Sequence, residues 1–288
     1  MQPHQIETRD GYSLAARSFG DSHQARAGVL IAPAMGVEQA YYEDFARWLA
    51  QQGYYVLSFD YRGMGHSRHG SLRSVKANIR TWGEEDAGAA LAWLREHLPG
   101  RPMAWIGHSL GGQIVGMVPG ALDLSAVMTV AAASGYVGDN APQLRRRVGW
   151  LWHVIVPLAT PLFGYFPGRR LGMVGDLPAG VIWQWRRWCL SPDYLFGVEP
   201  AELSVRYAEC RWPLLALSFL DDELLTSAGT AKLHSHYRRA RLDLRELGPQ
   251  DAGGQSIGHF GFFRKRFTDT LWPLAAQWLE RQLNQGHA

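Results

Sequence analysis

Short apolar runs alternate with helix-like segments along this chain, and this alternation constrains the fold most strongly. Residues 28–32, 54–59 and 103–106 are apolar runs of the length expected for strands buried on both faces. Residues 41–52 and 83–98, which separate these runs, carry apolar residues at helical spacing. Strands that alternate with helices pair as right-handed βαβ units. The sequence therefore predicts an α/β fold with a mostly parallel sheet flanked by helices.

The same alternation extends over most of the chain, with one interruption. Residues 4–19 predict an N-terminal hairpin that turns at Asp10-Gly11. Further strands are expected over residues 126–130, 213–218 and 241–247, and further helices from Ser109 and over residues 226–238 and 265–284. Residues 135–205 contain many Trp, Pro and Arg residues and no strand-like run. We therefore expect a core of residues 1–134 and 206–288, interrupted by a helical insertion over residues 135–205.

The composition is that of a globular protein without concentrated positive charge. The 288 residues are 47% apolar and 19% charged, which excludes a disordered chain. The net charge is +3, and the 29 basic residues, nearly all of them Arg, are spread along the sequence. Because a nucleic-acid-binding surface needs a concentrated basic stripe, no nucleic-acid partner is expected.

Cysteine usage and the N-terminus bear on location and cofactors. Cys189 and Cys210 are too few for a disulfide framework and lack the spacing of a metal site. Two reduced thiols in a cytoplasmic protein are expected, with one disulfide between them as the alternative. Residues 1–7 have no apolar segment of the kind found in secretory signals. Neither a metal nor a cofactor is expected.

Residues 149–166 contain no charged residue, and their 18 positions approach the length of a membrane span. The stretch includes His153, Pro157 and Pro161, and Arg169-Arg170 follow it closely. Proline interrupts the helical hydrogen-bond pattern. We expect a buried or surface-docking helix that is broken by proline, and no integral membrane span.

The sharpest local pattern is Gly107-His108-Ser109-Leu110-Gly111-Gly112, a G-x-S-x-G sequence between an apolar strand and a helical segment. A serine on a sharp strand-to-helix turn has strained backbone geometry, and glycines two positions away on each side avoid steric clashes. The turn lifts the hydroxyl above the sheet, at the positive end of the following helix. The pattern predicts a nucleophilic Ser109, with a tight turn and an inert serine as the alternative.

Together these features resemble the α/β-hydrolase superfamily over nearly the whole chain. Asp60-Tyr61-Arg62-Gly63-Met64-Gly65-His66-Ser67 is similar to the D-x-R-G-x-G-x-S loop that commonly follows the fourth strand of that fold. The loop lacks the third glycine of a dinucleotide-binding fingerprint, so a structural role is expected. The resemblance implies an α/β-hydrolase fold in which residues 135–205 form a helical cap, or lid.

The superfamily has its nucleophile, acid and base in the chain order Ser, Asp, His. By this resemblance the base is His259, which lies between the last predicted strand and the terminal helix. His108 is expected to point away from Ser109 and to have a packing role. His153, in the insertion, is a candidate for the wall of a pocket, whereas His234 and His236 are expected on the surface of a helix.

The acid is expected just after the penultimate strand, where the sequence reads Asp221-Asp222-Glu223. Its carboxylate must orient the imidazole and stabilise the charged form of the ring. The superfamily pattern P-x-x-x-x-x-G-x-x-D-x-x-x-P, aligned on Pro213, puts the acid at Asp222. In this alignment Phe219 replaces the glycine and Thr226 replaces the final proline. Asp222 is therefore predicted, with Asp221 as the alternative.

An oxyanion hole is implied by the same resemblance. In the superfamily it consists of two backbone amides, one from the residue after the serine and one from the loop after the third strand. The first is Leu110. The second is Met35, in the loop Pro33-Ala34-Met35-Gly36, where Pro33 stands in place of the histidine of the usual H-G-x-G.

The insertion indicates what kind of substrate to expect. Its large aromatic residues are Trp150, Trp152, Phe163, Tyr165, Phe166, Trp183, Trp185 and Trp188. They either line a pocket for an apolar or aromatic ester or form the core of the insertion itself. The sequence thus predicts a serine hydrolase that cleaves a carboxylic ester or thioester of a small molecule. An acyltransferase with the same residues and a non-catalytic ligand-binding protein are the alternatives.

Overall fold

An eight-stranded sheet organises the part of the chain that the structure, a computed structural model, describes: residues 1–140, 142–173 and 175–284. A separate two-stranded ribbon lies in the segment that interrupts the alternation. In chain order the strands are β1 (Gln2–Glu7), β2 (Ser13–Phe19), β3 (Ala27–Ala32), β4 (Tyr54–Phe59), β5 (Met103–His108), β6 (Ala126–Val130), β7 (Tyr165–Phe166), β8 (Leu177–Pro178), β9 (Pro213–Phe219) and β10 (Arg241–Leu247).

Helices connect most of the parallel strands. They are α1 (Glu43–Gln51), α2 (Ile79–Thr81), α3 (Gly88–His97), α4 (Leu110–Gln113), α5 (Pro142–Trp150), α6 (Val156–Phe163), α7 (Ala179–Cys189), α8 (Ala201–Glu209), α9 (Ser227–His234), α10 (Gly258–Gly261) and α11 (Leu271–Asn284). Two π-helical turns, Trp82–Ala87 and Leu151–Ile155, join α2 to α3 and α5 to α6.

The strand order in the large sheet is β1-β2-β4-β3-β5-β6-β9-β10. β2 runs antiparallel to its neighbours β1 and β4, and every later pair in this order is parallel. The predicted N-terminal hairpin and mostly parallel sheet are confirmed. Because the carboxyl ends of parallel strands meet at one edge, the loops after β3, β5, β9 and β10 lie along the same side of the sheet.

The central strands are apolar along their whole length because both faces of the sheet are covered. Along β3, Val29 and Ile31 belong to one buried cluster, whereas Leu30 and Ala32 belong to the other. This alternation follows from the two-residue period of a strand. Burial on both faces explains why the sequences of these strands are continuous apolar runs.

The loop over residues 60–67 has the predicted structural role. Its Arg62 is buried and its guanidinium binds Asp86 at 2.7 Å and Asp10 at 2.6 Å. The Asp60 carboxylate accepts hydrogen bonds from the backbone amides of Gln39 at 2.7 Å and His66 at 3.0 Å. These contacts join the N-terminal hairpin, the end of β4 and the helix that follows.

Several element boundaries differ from the sequence predictions. The strands β7 and β8 lie in the segment for which the sequence predicts no strand. The prediction missed them because a strand of two residues leaves no detectable alternation of polar and apolar residues. The helix predicted over 83–98 begins earlier, at Ile79, where the Asn78 side chain caps it. The helix predicted from 265 begins at Leu271, because tighter turns occupy residues 264–270. The helix predicted over 226–238 ends at His234.

The apolar stretch 149–166 is helical over most of its length. It comprises the end of α5, the second π-helical turn, α6 with Pro161 in its interior, and β7. Within the described ranges, no helix is both long enough and apolar enough to cross a membrane.

Candidate active site

Ser109 lies on a strained turn between β5 and α4. Its backbone has φ 49° and ψ −112°, a region that residues with a side chain rarely adopt. The flanking glycines permit this turn. A Cβ at Gly107 would lie 2.4 Å from the backbone of Gly111, and a Cβ at Gly111 would lie 2.1 Å from the carbonyl oxygen of Ala32. The G-x-S-x-G spacing therefore has a steric cause in this fold.

His259 lies in α10, beyond the last strand, and reaches Ser109 from there. Its Nε2 atom is 3.1 Å from Ser109 Oγ, and its Nδ1 atom is 2.9 Å from Asp222 Oδ2. The side chains of His259 and Asp222 are both only 3% exposed. A carboxylate can only accept, so Nδ1–H donates to Asp222 and Nε2 accepts from the serine hydroxyl. Although Ser109 and His259 are 150 positions apart in the sequence, the three side chains form one hydrogen-bonded chain.

The three consecutive acids after β9 all bind the loop that carries His259. Asp221 accepts hydrogen bonds from Ser256 Oγ at 2.6 Å and from the Ile257 amide at 2.8 Å. Glu223 accepts from the amide of His259 at 3.0 Å. Of the three, Asp222 is the one that contacts the imidazole. Burial alone would raise the pKa of Asp221, but the hydrogen bonds from Ser256 and the 257–258 backbone lower it.

His108, beside Ser109, links two loops of the candidate site. The Ala34 amide donates to the Tyr42 hydroxyl at 2.8 Å, and that hydroxyl lies 2.9 Å from His108 Nδ1. His108 Nε2 lies 3.0 Å from the carbonyl oxygen of His259. Because a carbonyl only accepts, Nε2 carries the proton and Nδ1 accepts from Tyr42. Burial, reinforced by the neighbouring charge of His259, lowers the pKa of His108 to about 3, so the ring is neutral.

His153, His234 and His236, the other histidines named in the sequence analysis, do not contact Ser109. His234, expected on the surface, is fully buried, which corrects the prediction. Its ring contacts Thr129 Oγ1 at 2.8 Å and the Thr230 carbonyl at 2.7 Å, and burial lowers its pKa to about 4. The prediction is wrong because the helix packs against the sheet through the face that carries His234. His153 is exposed and does not line the cavity above Ser109, and His236 stacks on Phe196.

The backbone amides of Met35 and Leu110 lie in the two loops that the sequence analysis singled out, after β3 and after β5. Leu110 is the first residue of α4, where an amide has no partner within the helix. Met35 follows Ala34 and, like Ser109, lines the cavity above the site. Within the described ranges, neither amide donates a hydrogen bond to another protein group.

A mainly apolar cavity of about 280 Å³ opens at Ser109 and His259. Its volume is close to the lower limit of about 300 Å³ for small-molecule sites. Residues from the range 135–205 contribute much of its wall, including Leu144, Val148, Leu151, Trp152, Phe166, Ile182 and Trp185. Of the eight aromatic residues noted in the sequence, three therefore line the cavity. Trp188 is buried elsewhere and Trp150 is exposed.

The two cysteines, Cys189 and Cys210, do not form a disulfide with each other. Both are free and buried, and Cys189 contributes to the cavity wall. Burial raises the pKa of Cys210 to about 12. In the described part of the chain, no group of three or more His, Cys, Asp or Glu residues is arranged to hold a metal ion.

A serine on a strained strand-to-helix turn, at the carboxyl edge of this mostly parallel sheet, defines an α/β hydrolase. Residues 23–170 match the model of the Hydrolase_4 family, described as serine aminopeptidase, S33. The chain therefore belongs to this family of hydrolases. A search of curated proteins finds no match.

Solved structures show the same fold at low sequence identity. A soluble variant of monoglyceride lipase from Saccharomyces cerevisiae has a TM-score of 0.70 and 16% identity, over 98% of this chain and 96% of that one. The esterase Pf2001 from Pyrococcus furiosus has a TM-score of 0.61 and 14% identity, over 97% and 92% of the two chains. A monoacylglycerol lipase from Paleococcus ferrophilus has a TM-score of 0.60 and 16% identity, over 93% and 99%.

Proposed function

We propose that the protein is a serine esterase that hydrolyses carboxylic esters of apolar acyl groups through a covalent acyl-enzyme. Ser109 is the nucleophile, His259 the general base and Asp222 the acid that orients it. The observation that carries the proposal is the hydrogen-bonded chain from Asp222 through His259 to Ser109, with distances of 2.9 and 3.1 Å. The strained turn at Ser109 supports the same assignment, because it exposes the hydroxyl to the cavity.

In the first step Ser109 Oγ attacks the ester carbonyl carbon while His259 Nε2 takes the hydroxyl proton. The carbonyl oxygen becomes an oxyanion, and the amides of Met35 and Leu110 donate hydrogen bonds to it. Loss of one such donor typically costs about 3–4 kcal/mol of transition-state stabilisation. Asp222 stabilises the imidazolium that forms. When the intermediate collapses, the proton moves from His259 to the departing alcohol, and the acyl group stays on Ser109.

Water completes the cycle. His259 takes a proton from a water molecule, whose oxygen attacks the acyl carbonyl carbon. The second oxyanion occupies the same pair of amides. Collapse of the intermediate returns the proton to Ser109 Oγ and releases the carboxylic acid. The proton transfer from Ser109 to His259 in the first step and its reversal in the last join two atoms that are already within hydrogen-bonding distance of each other.

The cavity favours an apolar acyl chain, and we propose that residues 135–205 form a cap that supplies its walls. An aminopeptidase, the activity in the family description, binds the cationic amino terminus of a peptide. None of the described residues that line the cavity is acidic, whereas Arg147 is basic. A positively charged terminus would therefore have no partner there. An uncharged ester of an aliphatic acid suits the lining better.

We propose that the protein is located in the cytoplasm, which is a reducing compartment. Free Cys189 and Cys210 support it, since thiols persist where disulfides do not form. Fractionation of cells that express the tagged protein would locate it.

The test is hydrolysis of nitrophenyl esters from acetate to palmitate, together with labelling by a fluorophosphonate. We expect turnover that is greatest for medium chains, labelling at Ser109, and loss of both in Ser109→Ala. The matched serine control is Ser125→Ala, because Ser125 directly precedes β6 and so lies at the amino ends of the parallel strands, across the sheet from the site. It should keep both activities.

Two other results would contradict the proposal. No hydrolysis and no labelling of the folded protein would favour a binding protein. Faster product formation with an added alcohol, without release of free acid, would favour an acyltransferase.

A further inference from the structure

The helical segment from α5 to α6 exposes large apolar side chains to solvent. Trp150, Leu158 and Leu162 are 67%, 69% and 75% exposed. Few soluble proteins leave such side chains uncovered in a group, and exposed apolar groups commonly mark interaction surfaces. We call these three residues the apolar stripe.

The second π-helical turn aligns the stripe. A turn of π-helix contains more residues than a turn of α-helix, because its hydrogen bonds span five residues rather than four. The turn over Leu151–Ile155 therefore shifts Trp150 to the side of the helix that carries Leu158. Leu158 and Leu162 are four residues apart within α6 and share that side.

The opposite side of the same segment faces the candidate active site. Val148, Leu151 and Trp152 line the cavity above Ser109. One short helical segment thus separates the apolar stripe from the cavity. A molecule that leaves a surface bound to the stripe would travel only about a helix diameter, roughly 10 Å, to reach the cavity.

The segment of sequence that carries the stripe has charge of one sign, and its Arg169 pairs with Glu38 of another segment. From residue 140 to residue 175 the sequence contains five Arg and no Asp or Glu. Arg145 is exposed in the turn before Trp150. At the other end, the Arg170 guanidinium lies 5.3 Å from the ring centre of Phe163, and Arg73 lies beside Gly164. Cationic side chains therefore lie at both ends of the stripe.

We infer that the apolar stripe docks on an anionic lipid surface. An apolar helix face with Trp and Leu, bordered by basic residues, has the composition of an interfacial helix that lies in the plane of a membrane. The basic side chains would contact anionic headgroups while the stripe enters the apolar layer. A second copy of this chain is a poorer occupant, because a two-fold contact would bring the basic border residues of one copy close to those of the other.

Docking of this kind would deliver apolar esters from the lipid to the cavity, and this consequence rests on the proposed function. The binding itself does not. Ser109→Ala retains the stripe and its basic border, so it should bind lipid as the wild type does. Lipid binding and ester hydrolysis can therefore fail independently, and each failure identifies which inference is wrong.

The experiment is co-sedimentation of the full-length Ser109→Ala protein with two kinds of vesicle. One contains equal parts phosphatidylglycerol and phosphatidylcholine, and the other contains phosphatidylcholine alone. We expect binding to the anionic vesicles at least about tenfold tighter than to the neutral ones, and weaker binding as salt is added.

Variants locate the surface. Leu158→Ser with Leu162→Ser should weaken binding to anionic vesicles at least about tenfold, because two exposed leucines no longer enter the lipid. Arg145→Gln and Arg170→Gln should each weaken it about fivefold. Leu122→Ser is the matched control: Leu122 is 52% exposed just before β6, at the amino ends of the parallel strands. It should bind as the parent does.

Hydrolysis of a dissolved short-chain ester, measured in the same variants with Ser109 restored, should be unchanged. Equal binding to the two vesicles, no binding to either, or equal losses in the stripe and Leu122 variants would overturn the inference. A concentration-dependent dimer in light scattering that disappears in the Leu158→Ser, Leu162→Ser variant would also overturn it, in favour of a second copy on this surface.

Discussion

His108 joins the loop before α1 to the loop that carries His259, and its removal should impair catalysis more than the loss of stability alone explains. His108→Met removes both hydrogen bonds of the ring. It leaves the Tyr42 hydroxyl and the His259 carbonyl without their buried partner. Each unsatisfied group costs about 1–3 kcal/mol, so we expect the free energy of unfolding to fall by roughly 2–5 kcal/mol.

The catalytic effect follows from the position of His259. Its carbonyl is held by His108, while its ring must stay 3.1 Å from Ser109 Oγ. A displacement of about 1 Å at a reacting group can cost about a hundredfold in rate, so we expect kcat to fall about 30- to 100-fold in His108→Met. KM should change little, because His108 does not line the cavity.

His234 provides the matched control. It is also fully buried and also makes two hydrogen bonds, but its partners, Thr129 and Thr230, do not contact the candidate site. His234→Met should lower stability by a similar amount and leave kcat within about twofold. His108→Gln, which again offers one donor and one acceptor, should recover most of the lost kcat.

The assay is steady-state hydrolysis of a nitrophenyl ester, with kcat and KM determined separately and urea unfolding measured on the same preparations. The rate of fluorophosphonate labelling reports the reactivity of Ser109 without product release. An equal loss of kcat in His108→Met and His234→Met would mean that the effect is general destabilisation. An unchanged kcat in His108→Met would show that the link to His259 has no role in positioning the base.

Three further outcomes are expected. Asp222→Asn should lower kcat about 10³- to 10⁴-fold because the imidazole loses its orienting carboxylate, whereas Asp221→Asn, which loosens only the loop backbone, should lower it less than about tenfold; similar values for the two would contradict the geometry. Gly111→Ala should abolish labelling and lower the melting temperature because its Cβ meets Ala32, whereas Gly149→Ala, with open space around its Cβ, should keep both or gain stability. Acid should destabilise the fold, because the pKa values of His108 and His234, about 3 and about 4, lie below the unfolded value of 6.5. The stability that these neutral rings contribute is complete above pH 6.5 and is lost as the pH falls from 6.5 towards the folded pKa values. The urea midpoint of His234→Gln should therefore fall less steeply than that of the wild type between about pH 6.5 and 4.

The sequence alone determined the strands of the sheet and the turn at Ser109. The central strands β3 to β6 and β9 are local apolar runs, and the strained turn requires glycines at fixed spacing, so both leave a pattern within a few residues. The resemblance to the superfamily, whose base follows the last strand in chain order, pointed to His259, and the structure brings its ring to 3.1 Å from Ser109 Oγ.

Tertiary structure decided what depends on contacts between distant residues. The carboxylate that faces the imidazole is Asp222 and not Asp221, a choice made by the conformation of the chain after β9. The burial of His234 and the link from Tyr42 through His108 to His259 had no local signal, because their partners lie 66 to 151 positions away. Local patterns report backbone conformation and burial, whereas the direction of a buried side chain depends on every element packed around it.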